Sequence, residues 1–434
     1  ELARRHAEAI APLDLGDVAY AAGAGRAHHT HRLAVVGSAT SDVADTLRAV
    51  AGGKPSPAAR IGRCRPHAIH RVGVLFTGQG SQYPGMGKAL FESEPRFRAA
   101  LERCDALLRP RLGTSLLAVL YGGDDPRLHQ TAYAQPALFA LEWSLSQLWS
   151  SWGLEPAALL GHSLGEYVAA TVAGAMSLED ALELVAERGR LMQSLPADGS
   201  MATVFAPAAD VAAAIGSLPV AIAATNGPRS TVISGRAAVV NDLSARLEAQ
   251  QVNVRPLRIS HASHSALMDP ILDRFEAAAA RVRFAPTRVA IASNLTGALL
   301  PVGHRFDAAY FRRHLRETVR FAEGLDAMLA TGCDVFLELG PSPTLASLGH
   351  DATFCCALDR RRDDYEAVLD AVGTLYVAGV ELDWEAFGRG HAARKVALPR
   401  YPFQATAYWM PFSRRNRGES VKTRAPHPLL SRRR

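Results

Sequence analysis

The chain has 434 residues, 48% of them apolar and 21% charged, with a formal net charge of +6 at pH 7. That is enough apolar material for a large core divided into two or more units, while no run approaches the eighteen apolar residues of a membrane span and no secretory leader precedes the first helix-like segment. Residues 413–434 hold eight Arg or Lys against one Glu, +7, which leaves about −1 for everything before them, so the basic character belongs to a tail and no nucleic-acid partner is expected.

Five cysteines, Cys64, Cys104, Cys333, Cys355 and Cys356, are odd in number and lack zinc spacing, which fits a reducing, cytoplasmic compartment. The opening on Glu1 and the close on Arg432-Arg433-Arg434 are expected to be cuts within something longer. Residues 1–70 read as a small α/β unit: a helix over 1–10, a strand over 33–37, a helix over 41–51 and a breaker at 52–57. From 72 onward strands and helices alternate, with strands at 72–76 and 157–160 and helices at 137–149 and 177–195, the last opened by Ser177 with Asp180 three residues on. Such alternation predicts a parallel sheet.

Residues 200–262 change character. Strands at 201–206, 220–224, 230–234 and 252–259 with helices at 209–215 and 237–249 give a β-α-β-β-α-β order, the ferredoxin-like split motif, and so an inserted subdomain. The earlier pattern resumes with a helix at 270–282, a strand at 289–293, a helix near 306–315 and a strand at 335–339 ending in Gly-Pro-Ser-Pro. After about 357 come one helix, 363–378, and a proline-bearing extended segment to 412; residues 413–434 are linker-like. The expected division is 1–70, a large unit of 71–199 with 263–357, the insert 200–262, the segment 358–412 and the tail.

Ser163 stands in Gly161-His-Ser-Leu-Gly165, after an apolar run and before a helix-forming stretch, the sequence form of a nucleophile elbow. A serine hydroxyl needs a base. Of fifteen histidines, those of His261-Ala-Ser-His-Ser265 are the most suggestive, because they lie where the insert returns to the large unit. His162 neighbours the serine, but neighbours on an elbow point apart, so it reads as structural or pocket-lining. The group His28, His29 and His31 has no cysteine or carboxylate set beside it and reads as surface histidines rather than a metal site.

On the helix 177–195 the apolar stripe runs Ala181, Leu184, Arg188, Leu191, Leu195, which places an arginine on the buried face. A guanidinium keeps its proton, so burial demands an anion, either an internal Asp or Glu or a bound carboxylate; the helix alone does not choose. Gln79 lies between glycines directly after the strand 72–76, at a strand's carboxyl end, where its N–H and that of Leu164 would complete an oxyanion hole.

Together, Phe-Thr-Gly-Gln-Gly-Ser-Gln (76–82), Tyr-Ala-Gln-Pro-Ala-Leu-Phe (133–139), Gly-His-Ser-Leu-Gly-Glu (161–166), Arg-Gly-Arg-Leu-Met-Gln (188–193) and His-Ala-Ser-His-Ser (261–265) resemble the ordered motifs of malonyl-CoA:acyl-carrier-protein acyltransferases, and more narrowly the acyltransferase domains of modular type I polyketide synthases. The resemblance implies an α/β-hydrolase-like parallel-sheet domain with a ferredoxin-like insert. It implies that 1–70 is the ketosynthase-to-acyltransferase linker, that 398–404 belongs to a post-acyltransferase segment wrapping back on it, and that His427-Pro-Leu-Leu430 is similar to the opening of a dehydratase. It implies Ser163 as nucleophile, His264 as general base and Arg188 as the grip on a malonyl-type carboxylate, with Gln135, His162, Met192, His261 and Ser263 lining the substrate. Acyl-CoA would be the donor and the phosphopantetheine thiol of a carrier protein the acceptor, with no bound cofactor or metal and no membrane. Such enzymes orient their histidine with backbone carbonyls; Asn294 is a further candidate for that task.

Leu164 after the serine and the 130–136 segment are similar to malonyl-selecting members, whose base motif usually reads His-Ala-Phe-His; methylmalonyl-selecting ones read Tyr-Ala-Ser-His. This chain has His261 with Ser263, one residue from each. The expectation is a malonyl preference with leakage toward substituted malonates. An α/β-hydrolase esterase is the rival reading, disfavoured because its histidine is expected late in the chain whereas His264 is only 101 residues after Ser163 and follows the insert. A silent docking scaffold would have no use for Ser163, His264 and Arg188 together.

Overall fold

The computed structural model describes residues 2–64, 70–257, 259, 261–390 and 393–401. The tail, His427–Leu430 and positions 402–404 of the 398–404 motif lie outside the described residues.

The N-terminal unit packs helices Leu2–Ala9, Leu15–Gly23 and Thr40–Ala51 with an antiparallel pair, β1 (His31–Val35) and β2 (Ala59–Arg63). No strand was expected at β2, and the reason is physical: none of its residues is buried and Ile61 is 68% exposed, so it carries no alternating apolar signal. Gly62 permits it instead, since a Cβ there would lie 2.2 Å from the Val377 carbonyl oxygen of the C-terminal helix Asp364–Ala378. Residues near 394–398 run back over this unit. Arg394 donates from its backbone to the buried Asp17 at 2.6 Å, and Leu398 is buried with Ala7, Ile10 and Val18. His28 is half-buried against the rings of Tyr376 and Trp384, not free in a surface loop.

The remaining strands are β3 (Val72–Phe76), β4 (Ala158–Gly161), β5 (Gly199–Val204), β6 (Val220–Gly227), β7 (Ser230–Arg236), β8 (Val254–Pro256), β9 (Ala290–Ala292), β10 (Leu299–Leu300), β11 (Val335–Leu339) and β12 (Thr353–Cys356). Six form the main sheet in the order β10-β9-β4-β3-β11-β12, parallel throughout except for β10. Every residue of β3, β4 and β11 is buried, as expected of strands covered on both faces. The exception to their apolar run is Glu338 on β11. Burial pushes its carboxyl up to about 7, while the N–H groups of Thr344, Leu345 and Ala346 in the following loop donate to it at 2.7–3.0 Å.

The helix expected at 137–149 spans Thr131–Ser151. Pro136 reads as a helix start but sits inside, so only the i−4 bond to Ala132 is forgone. Gly189 lets that end lie close, since a Cβ there would be 2.9 Å from the Thr131 carbonyl oxygen. The helix Leu178–Gln193 begins as read, with the Asp180 N–H donating to Ser177 Oγ at 3.0 Å. The insert forms a four-stranded antiparallel sheet, β6-β7-β5-β8, with Ala208–Ile215 and Ala237–Ala249 packed through Val211, Ile215, Val240, Leu243 and Leu247. Its β8 covers only part of the expected strand. The insert is stitched to the main body where Thr225 N–H donates to the Val319 carbonyl and Val319 N–H to the Ala223 carbonyl, both at 2.9 Å. The cleft between the two bodies lies over the carboxyl end of β4.

Candidate active site

At the end of β4 the chain reverses through Ser163, held at φ 51°, ψ −105°. For a residue with a Cβ this costs on the order of 1–3 kcal/mol, and the surroundings leave no alternative. A Cβ on Gly161 would sit 2.0 Å from the Glu166 nitrogen, and one on Gly165 would sit 2.2 Å from the Phe76 carbonyl oxygen. Asn294, just after β9, closes the brace: its Oδ1 accepts from Ser163 N–H at 2.8 Å and its Nδ2 donates to the Gly161 carbonyl at 2.7 Å. This corrects the role suggested above. Asn294 holds the elbow backbone and does not orient His264, because the two ring nitrogens of His264 are engaged by the Glu317 carbonyl and by Ser163 Oγ.

His264 is buried and also has positive φ, 55°. Its Nδ1–H donates to the Glu317 carbonyl at 2.8 Å, which leaves Nε2 as acceptor for Ser163 Oγ–H, also at 2.8 Å. Burial, then the neighbouring charges of His314 and Arg188, hold the imidazole well below its ordinary value of 6.5. The group is therefore neutral at physiological pH with its lone pair on the serine. A cavity of about 500 Å³ between the insert and residues 316–323 reaches this histidine.

Arg188 is 2% exposed, and among the described residues no carboxylate pairs with it. Nη1 donates to Gln135 Oε1 at 2.7 Å, Nη2 to Ser163 Oγ at 3.2 Å, and the guanidinium lies 5.4 Å from the Tyr167 ring centroid. Its Nε is buried with no hydrogen-bond partner. Burial opposes its charge and lowers its proton affinity. From Gln135 a directional chain continues: Gln135 Nε2 donates to Gln79 Oε1 (3.2 Å), Gln79 Nε2 to Thr131 Oγ1 (3.1 Å), Thr131 to His261 Nδ1 (3.5 Å), and His261 Nε2 to the Leu195 carbonyl (3.2 Å). Gln135 Nε2 also lies 3.2 Å from Met192 Sδ. The acceptor ends of this chain fix which way each amide points.

Gly78 presses the Gln79 loop onto the elbow, since a Cβ there would be 2.9 Å from the His162 carbonyl oxygen. Leu164 opens the helix Leu164–Val172, so its N–H has no intrahelical partner. His162 turns away from the serine as expected: its Nε2 donates to Asn226 Oδ1 on β6 at 2.9 Å, and burial depresses its basicity. Ser263 is half-buried, with Oγ 3.7 Å from Met201 Sδ and its carbonyl accepting from Ser234 Oγ at 2.7 Å.

A second polar cluster lies behind the elbow, and none of its roles was read from sequence. Glu166 is fully buried; it accepts from Asn294 N–H at 3.0 Å and from the Tyr310 hydroxyl, and His314 Nε2 lies 3.1 Å away. Glu142, on the helix Thr131–Ser151, accepts from Thr77 N–H at 3.0 Å, and burial pushes its carboxyl well up. Both His314, beside Phe311 and Leu315, and Glu142 stand on buried helix faces, the same signal that exposed Arg188.

A family model described as acyl transferase domain matches residues 74–360, and one described as CurL-like, PKS C-terminal, matches residues 3–47. Polyketide synthase GfsA of Streptomyces halstedii is 38% identical over 417 residues, 92% of this chain and 6% of that protein. The chain spans 6 to 25% of the length of the curated relatives it matches. The acyltransferase domain from the second module of the salinomycin polyketide synthase superposes with a TM-score of 0.79 at 37% identity, covering 90% of this chain and 93% of that one. An acyl carrier protein S-malonyltransferase from Vibrio cholerae gives 0.60 at 30% identity, covering 70% and 99%.

Proposed function

The chain belongs to the acyl transferase domain family, as an acyltransferase of the polyketide synthase and carrier-protein transacylase kind, and from that premise we propose that it takes a malonyl-type unit from coenzyme A onto Ser163 and passes it to the phosphopantetheine thiol of an acyl carrier protein. The observation that carries the reading is Arg188, a buried guanidinium with no internal carboxylate among the described residues and in hydrogen-bond contact with the Ser163 hydroxyl. Leaving a buried cation uncompensated costs several kcal/mol. A carboxylate carried by the substrate resolves it. The 3.2 Å between Nη2 and Oγ suits an acyl group whose carboxylate is one carbon from the reacting carbonyl.

In the first half-reaction His264 Nε2 takes the Ser163 proton as Oγ attacks the thioester carbon, and the oxygen becomes negative between the N–H groups of Leu164 and Gln79. The C–S bond then breaks, the proton passes from His264 to the coenzyme A sulfur, and malonyl-Ser163 remains. In the second half-reaction the carrier thiol gives its proton to His264 and attacks the ester, and Ser163 Oγ regains a proton as it leaves. Arg188 holds the carboxylate through both, with Gln135 fixing the guanidinium plane.

Malonyl is the preferred unit, with the space beside Ser263 admitting some methylmalonyl. Residues 1–70 and 358–412 are read as linkers to a preceding ketosynthase and around the acyltransferase, with a dehydratase following. Mass spectrometry after incubation with malonyl-CoA tests the reading: a stable malonyl adduct on Ser163, absent in Ser163→Ala, is expected. Retained loading in that variant refutes the assignment, and turnover to free malonate without an adduct supports an esterase.

A further inference from the structure

Glu142 takes no part in the transfer steps, yet its carboxyl is fully buried on the helix Thr131–Ser151. Oε1 accepts twice from one residue, Thr77: from the backbone N–H at 3.0 Å and from the side-chain hydroxyl. Oε2 is buried with no hydrogen-bond partner among the described residues. Burial pushes the carboxyl well up, and the nearby Glu338 adds to this, against the bonds from Thr77, which favour the charged form. The acid is therefore neutral at physiological pH, and Oε1 serves as a carbonyl-type acceptor. Apolar packing would fasten a strand to a helix without desolvating an acid, so the carboxyl serves the two donors of Thr77.

Thr77 directly follows β3 and stands two residues before Gln79, whose N–H is one of the two oxyanion donors. It is enclosed on both sides. A Cβ on Gly340, in the loop after β11, would lie 2.3 Å from Thr77 Cγ2, so the methyl packs against that backbone while the hydroxyl and N–H turn to Glu142. Gly78 comes next, pressed against the His162 carbonyl of the elbow, and the Ser81 hydroxyl donates to the Gly78 carbonyl at 3.0 Å. The helix that carries Glu142 also holds the Gln79 side chain, through Gln135 and Thr131. Positions 131, 135 and 142 are four and seven residues apart and so share one helix face. One rigid element thus fixes both ends of the segment 77–79, by its backbone at Thr77 and by its side chain at Gln79. We infer that Glu142 is a positioning residue for acyl transfer: acting through Thr77, it sets the Gln79 N–H where the developing oxyanion requires it. A donor placed before the charge appears needs no reorganisation in the transition state, and a displacement of about 1 Å loses much of that stabilisation. The inference rests on the reading of the Gln79 N–H as an oxyanion donor, and a neutral ester tests it apart from malonyl recognition.

Single-turnover acylation of Ser163 is measured with malonyl-CoA and with p-nitrophenyl acetate, which has neither the free carboxylate nor coenzyme A, on the whole chain and on Glu142→Leu and Glu142→Gln. Glu142→Leu removes the acceptor of both Thr77 donors and should slow acylation by both reagents about tenfold to 100-fold at saturation, with the half-saturating concentration of malonyl-CoA little changed. Glu142→Gln keeps a carbonyl oxygen at the same place and should recover most of the loss. An unaltered rate in Glu142→Leu, a Glu142→Gln variant as slow as Glu142→Leu, or a loss confined to the half-saturating concentration would each return Glu142 to a merely structural role. Should the thermal midpoint of Glu142→Leu fall too low for assay, Thr77→Val decides, since it removes only the hydroxyl donor: slower acylation by both reagents is expected, and an unaltered rate overturns the inference. A chain that p-nitrophenyl acetate acylates and malonyl-CoA does not would refute the malonyl reading, while the response of the ester reaction to Glu142→Leu would still decide the role of Glu142.

Discussion

Two buried polar clusters meet at the elbow, and they differ in one respect. Behind it, Glu166 is enclosed by Asn294 N–H, Tyr310 and His314, a carboxylate with its partners inside the fold. In front, Arg188 has only neutral partners and an unpaired Nε. The closed cluster is a brace and the open one a receptor. A buried charge is evidence of ligand binding only when the protein has not already answered it.

That contrast breaks most visibly at Arg188. Arg188→Ala should lower malonyl-CoA loading of Ser163 by about 100-fold or more, corresponding to the roughly 3–5 kcal/mol lost when one partner of a buried pair is removed, while acetyl-CoA, lacking the free carboxylate, changes far less. Competitive labelling with the two thioesters reads the difference, and equal losses would return Arg188 to a structural role. At the closed cluster the order of effects should reverse. Asn294→Ala removes the acceptor of Ser163 N–H and the donor to Gly161 and should cost about 1–3 kcal/mol of stability, seen as a lower thermal midpoint, with malonyl and acetyl loading falling together. A selective loss of malonyl loading would mean that the brace is part of the receptor.

His264 sits where the two clusters meet, and its titration sharpens the distinction. Since burial and the nearby His314 and Arg188 depress its proton affinity, the neutral, proton-accepting form persists as pH falls through 6.5 and disappears only well below that. An ordinary histidine would lose about fivefold in the base form between pH 6.5 and 5.5. The kcat/KM for malonyl-CoA loading should instead stay nearly flat over that interval, and a pH–rate profile with its midpoint at 6.5 would show that the surroundings do not act on His264 as described.

Why the open cluster was legible in the sequence and the closed one was not follows from chain distance. Ser163 is signalled by glycines two residues away, and Arg188 by the stripe of its own helix, so each announces itself locally. The orienting carbonyl of Glu317 is a backbone atom that every residue owns, and no residue type marks it. Glu166, Tyr310 and Asn294 meet only because β9 lies beside β4, a pairing that periodicity does not encode. Glu142 and His314 were within reach, because each interrupts a buried helical face as Arg188 does. The helix Pro95–Leu112 was too, through Phe97, Leu101, Cys104 and Leu108 at helical spacing. The exposed strand β2 was not, because it buries no side chain of its own.

The smallest expected effect lies on the receptor side, at Ser263. Its hydroxyl lies 3.7 Å from Met201 Sδ, a weak contact in a half-buried position, so a larger side chain can be accommodated only by taking space from the cleft. Ser263→Phe should therefore narrow the room at the malonyl α-carbon and raise malonyl over methylmalonyl selectivity several-fold, within the about 1–3 kcal/mol that one methyl group commands. Because His264 keeps its bond to the Glu317 carbonyl, malonyl loading itself should change little. The kcat/KM ratio for the two thioesters measures this directly. A variant that loses both substrates equally would show that position 263 supports the His264 backbone at φ 55° and not the pocket wall, which would move Ser263 from the receptor into the brace.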